Sequence, residues 1–409
     1  MPRVIILAMI LVEKNLVHKA KTKIILFVID GLGGIPRPED GKTEMEAAQT
    51  PNLDALAKKS VLGLINPVAP GVSPGSGPGH LSIFGYDPLQ NDVGRGVLEA
   101  LGVGMKLMES DVAARGNFAT LDADGLIVDR RAGRPKDQDA AKVVELLKKN
   151  IKEIEGVQVL LQHVKGHRFV VVFRGEDLSG RVLETDPQQD GVPPLFPVPE
   201  KREAEHTARI IWQFIQKAHY TLLNEKKMNC VLLRGFSKLP YLQPFSDRYK
   251  MDGVGIAVYP MYKGVARVIG LNILGEPRSF EEEVKILEDN WAEHEFFFIH
   301  YKDTDEAGED GDFDRKVAKL EEADSFVRRL LALKPDVIAI TGDHSTPAMM
   351  AKHSWHPVPF MISGPFAGPD DCTAFTERQA KHGYYGRIRA TDLMSLILAN
   401  AGRAKKFGA

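Results

Sequence analysis

Oxygen and nitrogen donors recur along this chain where apolar runs end. Asp30 closes the run KIILFVID, Asp305 and Glu309 follow the run ending at His300, and Asp343 and His344 follow the run ending at Thr341. His353 lies in the loop before VPFMIS. Six carboxylate and imidazole groups without a sulfur donor suit borderline and hard divalent ions such as Mn, Zn or Mg, and two ions could be accommodated. Any one of these acids could equally cap a helix or face water. The repetition at strand ends, where open α/β sheets build their sites, is what points to chemistry.

A second feature is GVSPGSGPGHLSIFGYDP, Gly71 to Pro88, which sets Ser76 between Gly75 and Gly77 just before a helix-like stretch. Glycines let backbone amides approach a phosphate closely, and a helix N-terminus favours its charge. Ser76 is therefore a candidate nucleophile, although a serine hydroxyl is weak at neutral pH until a base or a metal activates it. A Gly-Ser-Gly turn alone is simply a flexible loop; the nearby acid and imidazole groups give it force. His80 is expected to pack or hydrogen-bond behind the serine.

A third feature is cationic. VDRRAGR, Val128 to Arg134, supplies Arg130, Arg131 and Arg134, and Arg234 and Lys263 come later in the chain. Guanidinium groups grip phosphate and carboxylate in bidentate fashion, so several arginines facing a metal site suit a small anion that carries both. Arg130 on its own reads equally as a solvated surface cation.

These residues need elements to hold them. KIILFVID (Lys23 to Asp30) is a continuous β-branched and aromatic string, as expected of a strand buried on both faces, and NCVLLR, EFFFIH, DVIAIT and VPFMIS repeat the pattern. Between them lie helical patterns. Residues 313–334 place Val317, Leu320, Val327, Leu330 and Leu331 on one face, and a last helix is expected from a Thr391 cap to just before Gly402. This alternation predicts an α/β fold, a mostly parallel sheet flanked by helices.

Residues 111–228 have another texture. Short strands (VQVLL from Val157, RFVVVF from Arg168) mix with a charged helix expected from about Asp139 to Ile154. The Pro-rich DPQQDGVPPLFPVP and an amphipathic helix over Glu203 to Leu223 then read as the return from an inserted domain. The expected organisation is a core of residues 23–110 and 229–409, a smaller α+β insertion at 111–228 with hinges near 110 and 229, and an N-terminal extension, 1–22.

Composition narrows the partners. The 409 residues carry 53 Lys plus Arg against 55 Asp plus Glu, a formal charge of −2, which supplies no global field for nucleic acid or an anionic membrane. Cys230 and Cys372 are far apart and support neither a disulfide framework nor a thiolate metal site, so a cytoplasmic setting is expected. The apolar run VIILAMILV, residues 4–12, is too short for a bilayer, which needs about 20 residues, and the basic KNLVHKAKTK after it offers no small-residue cleavage site. It reads as an extra strand or as sequence upstream of the true start.

VIDG (Val28 to Gly31), TPNLD (Thr50 to Asp54), GSGPGHL around Ser76, TGDHSTP (Thr341 to Pro347) and HSWHPVP (His353 to Pro359) resemble the alkaline phosphatase superfamily. Within it the chain is similar to the archaeal-type cofactor-independent phosphoglycerate mutases, from about Lys23 to the C-terminus. The resemblance implies an alkaline-phosphatase-like core and two divalent ions (Mn, Mg, Zn or Co). One would be held by Asp30, Ser76, Asp343 and His344, the other by Asp305, His353 and the position of Glu309, while His356 matches no ligand position. It marks Arg131 and Arg134, with Arg130, as substrate contacts, and Arg234 and Lys263 by similar position.

The implied reaction belongs to glycolysis and gluconeogenesis. Ser76 takes the phosphoryl group of 2-phosphoglycerate as a phosphoserine and returns it to the other hydroxyl, giving 3-phosphoglycerate without 2,3-bisphosphoglycerate. Closure of the insertion over the site would keep water from the phosphoserine. One departure stands out: the family commonly shows DxxxH where this chain reads DEAGE, Asp305 to Glu309. Replacing imidazole by carboxylate adds negative charge and favours harder metals such as Mn or Mg. Competing readings are a metal-dependent phosphomonoesterase, a mutase of another phosphorylated metabolite, and a metal-stabilised binding protein without activity. The partner is expected to be a small-molecule phosphoglycerate, with no nucleic acid and no membrane; a homo-oligomer is compatible with this.

Overall fold

The computed structural model describes residues 15–408, so the strand envisaged for residues 4–12 lies outside the described residues. The strands are β1 (Ile24–Ile29), β2 (Val61–Asn66), β3 (Val112–Leu121), β4 (Ile127–Asp129), β5 (Glu153–Ile154), β6 (Val157–Lys165) and β7 (Arg168–Arg174). They continue with β8 (Cys230–Ser237), β9 (Gly253–Ile256), β10 (Asn272–Ile273), β11 (Phe296–Tyr301), β12 (Val337–Thr341), β13 (Val358–Ser363) and β14 (Arg387–Arg389). The chain divides into two compact units. One runs up to Asp92 and takes in Leu242–Tyr262 and the chain from Ile269 on; the other comprises Val93–Tyr241 and Lys263–Val268.

The first unit is built on an eight-stranded sheet of order β10-β9-β11-β1-β12-β13-β2-β14. β1 pairs in parallel with β11 and β12, and every one of its six residues is buried, as its unbroken apolar run requires. Among the described strands only β13 runs against its neighbours, antiparallel to β12 and β2. The helix Phe313–Ala332 opens on Asp312, whose carboxylate accepts from the Arg315 amide, and buries Leu320, Val327 and Leu330 on one face. The last helix differs from its expected start. A 3₁₀ turn at Ala390–Asp392 precedes Leu393–Asn400, so Thr391 lies within the turn instead of capping the helix.

The described part of the expected N-terminal extension is built into this unit. Val17 bridges to Ala404, and the buried Arg403 donates to the carbonyls of Ala20 (2.6 Å) and Thr22 (2.9 Å).

The second unit has a sheet of order β4-β3-β7-β6-β5, with β8 on the other side of β3. This corrects the placement of NCVLLR, which pairs antiparallel with β3 and not within the first sheet. It also widens the unit beyond 111–228. On the amino side the helix Arg95–Gly102 belongs to it, because Gly96 packs so tightly that a Cβ there would lie 2.3 Å from the Ala113 carbonyl oxygen. The chain passes between units at Asp92/Val93 and Tyr241/Leu242, displaced from the expected 110 and 229, and again at either side of Lys263–Val268.

The Pro-rich segment is no exit either. Val192 accepts from the Ile127 amide (3.0 Å) and Leu195 donates to Thr185 (2.9 Å), folding the segment back onto its own unit. The charged helix spans Asp137–Asn150, and the amphipathic one spans Glu205–Thr221 after a 3₁₀ turn. Their apolar faces share one core, with Val144, Leu147, Ile211 and Phe214.

Candidate metal centre and nucleophile

Three adjacent parallel strands deliver the site. β11, β1 and β12 end side by side, so the residues after them, Lys302 to Asp305, Asp30, and Asp343 with His344, emerge at one edge of the sheet. The helix Ser76–Ile83 begins against the same edge, with Gly75 as its N-cap and Ser76 at its first position. Gly75 has φ −84°, so the glycine before the serine does not serve a left-handed turn. Gly79 shows the other use: a Cβ on it would stand 2.3 Å from the Asp343 carbonyl oxygen, and hydrogen alone lets the helix lie against the strand end.

The first cluster brings one donor atom each from Asp30, Asp343 and His344 within 4.8 Å of one another. The two oxygens of Asp30 are treated differently. Oδ2 accepts from the Tyr262 hydroxyl, His300 Nε2 (2.9 Å) and Lys302 Nζ (3.3 Å), whereas Oδ1 is buried without a hydrogen-bond partner. Asp343 repeats the division: Oδ1 accepts from the Gly31 amide at 3.2 Å, and Oδ2 has no hydrogen bond. His344 Nε2 faces both unpaired oxygens, 3.4 Å from Asp30 Oδ1 and 3.1 Å from Asp343 Oδ2, and lies 3.1 Å from Ser76 Oγ. Buried unpaired carboxylate oxygens are costly, and their convergence on one point fits a cation bound there. Burial alone would raise the Asp30 carboxyl, but Lys302, His300 and His344 hold it well below the usual range. It is ready to coordinate as a carboxylate.

The second cluster comprises Asp305, His344 and His353. His353 Nε2 lies 3.5 Å from Asp305 Oδ1 and 3.4 Å from Glu309 Oε1, and its Nδ1 donates to the Pro74 carbonyl at 2.9 Å. Burial disfavours its charged form, yet the Glu309 hydrogen bond and Asp305 push its pKa to about 9. Glu309 is lowered in turn, chiefly by His353. The Glu309 carboxylate, 54% exposed, lies outside the tight group but within reach of its outer side. Oxygen and nitrogen donors with acids in both clusters fit two divalent ions.

His80 is fully buried behind the nucleophile, its Nδ1 2.8 Å from the Ser76 carbonyl oxygen and 3.1 Å from Asp343 Oδ2, the supporting place expected of it. Lys302, Tyr262, His300 and Thr346 are participants that sequence reasoning passes over. Lys302 carries the one local signal, a cation directly after the β11 strand end; it also donates to Asp305.

The expected substrate cations all belong to the second unit, where they are only partly gathered. Arg130 forms a bidentate pair with the buried Asp186 (3.0 and 2.8 Å), and Arg234 Nη1 approaches the same carboxylate at 3.8 Å while its Nε donates to Glu184 at 3.2 Å. Asp186 opens the Pro-rich segment and was not among the expected site residues. Arg131 and Arg134 are exposed on the turn after β4, and Lys263 is buried in the helix Pro260–Val268.

A family model described as 2,3-bisphosphoglycerate-independent phosphoglycerate mutase matches residues 57–229. A probable 2,3-bisphosphoglycerate-independent phosphoglycerate mutase of Thermus thermophilus is 49% identical over 401 residues, covering 97% of this chain and 99% of that protein. One of Thermotoga neapolitana is 49% identical over 395 residues, covering 97% and 98%. Such coverage is too large to leave all of residues 1–22 outside the likeness. Among solved structures, a Pyrococcus horikoshii protein superposes with a TM-score of 0.80 at 32% identity, covering 96% of this chain and 100% of that one. The cofactor-independent phosphoglycerate mutase of Thermoplasma acidophilum does so with 0.68 at 28%, covering 93% and 100%.

Proposed function

The chain belongs to the 2,3-bisphosphoglycerate-independent phosphoglycerate mutase family, and on that premise we propose that it interconverts 2-phosphoglycerate and 3-phosphoglycerate through a phosphoserine at Ser76. The observation that carries the reading is the Ser76 hydroxyl at a helix N-terminus, 3.1 Å from His344 Nε2, which itself lies 3.4 Å from Asp30 Oδ1 and 3.1 Å from Asp343 Oδ2.

Two divalent ions, one at Asp30, Asp343, His344 and Ser76 and one at Asp305, His353 and Glu309, would supply Lewis acidity and offset phosphoryl charge. The rest falls to the chain. Ser76 Oγ gives up its proton and bonds to phosphorus as the bond to the C2 oxygen of the substrate breaks, and that oxygen takes up a proton as glycerate leaves with it. Glycerate then turns, its C3 hydroxyl loses its proton and attacks the phosphoserine in line, and the Oγ–P bond breaks with Oγ protonated again, giving 3-phosphoglycerate. The N-terminus of Ser76–Ile83 faces the charge that develops on the phosphoryl oxygens. Lys302 lies between Asp30 and Asp305 and balances the acids that bracket the reacting centre. Arg130, Arg131, Arg134, Arg234 and Lys263 bind the carboxylate and phosphate of the substrate. Arg130 is held in place for this by Asp186.

The substrate itself is the phosphoryl donor, so added 2,3-bisphosphoglycerate should not change the rate. Among the described residues no helix is long and apolar enough to cross a membrane; the proposed glycolytic substrate supports a cytoplasmic reading. Phosphorus NMR of a reaction started from 3-phosphoglycerate tests the proposal. A growing 2-phosphoglycerate resonance is expected, and conversion to inorganic phosphate alone would replace the mutase reading with a phosphomonoesterase.

A further inference from the structure

The clusters leave one ambiguity, because His344 is close enough to serve either ion. We propose that the Thr346 hydroxyl is the positioning group behind the assignment given above: it fixes the tautomer of His344, with the proton on Nδ1, and so keeps Nε2 free for the ion at Asp30 and Asp343. The inference rests on the two-ion reading above.

The argument is one of proton counting. Thr346 is fully buried, and its Oγ1 lies 2.6 Å from Asp305 Oδ1 and 2.9 Å from His344 Nδ1. A hydroxyl has a single proton to donate, and an ionised carboxylate can only accept. The proton therefore points to Asp305, as the short contact to an anionic acceptor indicates. What Thr346 offers His344 is a lone pair, which Nδ1 can meet only as N–H. A neutral imidazole protonated there carries its free lone pair on Nε2.

That nitrogen faces Asp30 Oδ1 and Asp343 Oδ2, the two buried oxygens without hydrogen bonds. With Nδ1 protonated, Nε2 and the two carboxylate oxygens are all acceptors; the donors beside them are the Ser76 hydroxyl, 3.1 Å from Nε2, and His80 Nδ1, 3.1 Å from Asp343 Oδ2 but nearer the Ser76 carbonyl oxygen at 2.8 Å, so Asp30 Oδ1 is left to a cation. The opposite tautomer would turn Thr346 toward Nδ1 and leave its oxygen lone pairs against the Asp305 carboxylate at 2.6 Å. Capped in this way, Nδ1 is lost to the second ion, whose set is then Asp305, His353 and Glu309. The Thr346 backbone is itself anchored, since the buried Lys316 donates to its carbonyl at 2.8 Å and to that of Gly33 at 3.0 Å. Gly308 closes the other side, where a Cβ would stand 2.2 Å from the Thr346 carbonyl oxygen. Thr346 is thus a positioning residue that acts through both clusters. Such outer partners typically contribute about 10–100-fold to metal affinity.

Nitrogen-15 NMR of histidine side chains in the full-length protein, metal-free and after Zn²⁺ loading, tests this directly. The His344 Nδ1 resonance is expected to be proton-bearing in both states, with Nε2 shifting on loading; a proton on Nε2 in the metal-free protein would overturn the proposal. Mn²⁺ titration followed by electron paramagnetic resonance adds the variants. Wild type and Thr346→Ser should bind two equivalents, while Thr346→Val should keep its fold and lose about 10–100-fold in affinity for one of them. Unchanged Mn²⁺ binding in folded Thr346→Val would also overturn it. Neither readout depends on turnover, so a failed mutase assay leaves this result standing, and the reverse.

Discussion

Gly79 lies so close to Asp343 that a methyl group on it would sit 2.3 Å from the Asp343 carbonyl oxygen and 3.2 Å from its Cβ. The helix bearing the nucleophile is thus seated on the backbone of a metal-cluster residue. Gly79→Ala is expected to force the two apart, at a cost of about 1–3 kcal/mol for overpacking. Thermal denaturation should show the loss, and Mn²⁺ binding should weaken with it because Asp343 moves. A variant as stable as wild type with intact metal binding would mean that this contact does not set the seat of the helix.

Ser76→Ala removes the hydroxyl and little else. Its backbone still starts the helix, and the carbonyl contact to His80 does not involve the side chain. Mutase turnover should fall by at least about 10³-fold, the scale seen when a nucleophile is deleted, with the melting temperature close to wild type. Incubation with ³²P-labelled 3-phosphoglycerate should label wild type and not the variant. Wild-type turnover in purified Ser76→Ala would exclude Ser76 as nucleophile.

How far the site could be read from residues alone depended on where each residue's role is decided. Asp30, Asp343 and His344 are legible because each directly follows a buried apolar run, and parallel strands align their ends. Tyr262 and Thr346 are not, since their importance lies in single hydrogen bonds to Asp30, Asp305 and His344 that exist only after distant segments meet. A short run such as NCVLLR carries no mark of which sheet it joins; both sheets bury such strands, and only the pairing with β3 decides. The Pro-rich segment from Asp186 shows the same limit. Prolines forbid regular structure without saying whether the chain leaves a domain or wraps around it, and here Asp186 turns inward to hold Arg130.

Glu309 Oε1 lies 3.4 Å from His353 Nε2, at the outer side of the second cluster. A carboxylate there makes the second site more anionic and harder, so Mn²⁺ or Mg²⁺ should support more activity than Zn²⁺ or Co²⁺ when added to stripped protein. Glu309→His should shift the order toward Zn²⁺ and Co²⁺ and lower Mn²⁺ affinity by about tenfold. Titrations of both proteins with the four ions measure the change. An identical order in the two would show that position 309 does not contact the ion.

Glu377 is a half-buried acid that belongs to neither cluster. Its Oε1 accepts from the Gly34 amide at 2.8 Å and its Oε2 pairs with the Thr43 hydroxyl at 2.7 Å. Burial pushes its pKa from the ordinary 4.5 to about 7, against the pull of these donors and of Lys316. The sign of the effect follows from which state binds the proton more tightly, here the folded one. Below about pH 4.5 both states are protonated and the folded state carries no penalty. Between 4.5 and 7 the unfolded chain ionises first, so stability falls as pH rises, and above 7 the loss is complete. Glu377→Gln keeps the shape and an acceptor for Gly34 but cannot ionise. Relative to wild type it should be near neutral at pH 4.5 and more stable by roughly 1–3 kcal/mol at pH 8. Urea denaturation of both proteins across this range measures the difference, and a gap that does not widen with pH would show that Glu377 is already ionised in the folded protein at the low end.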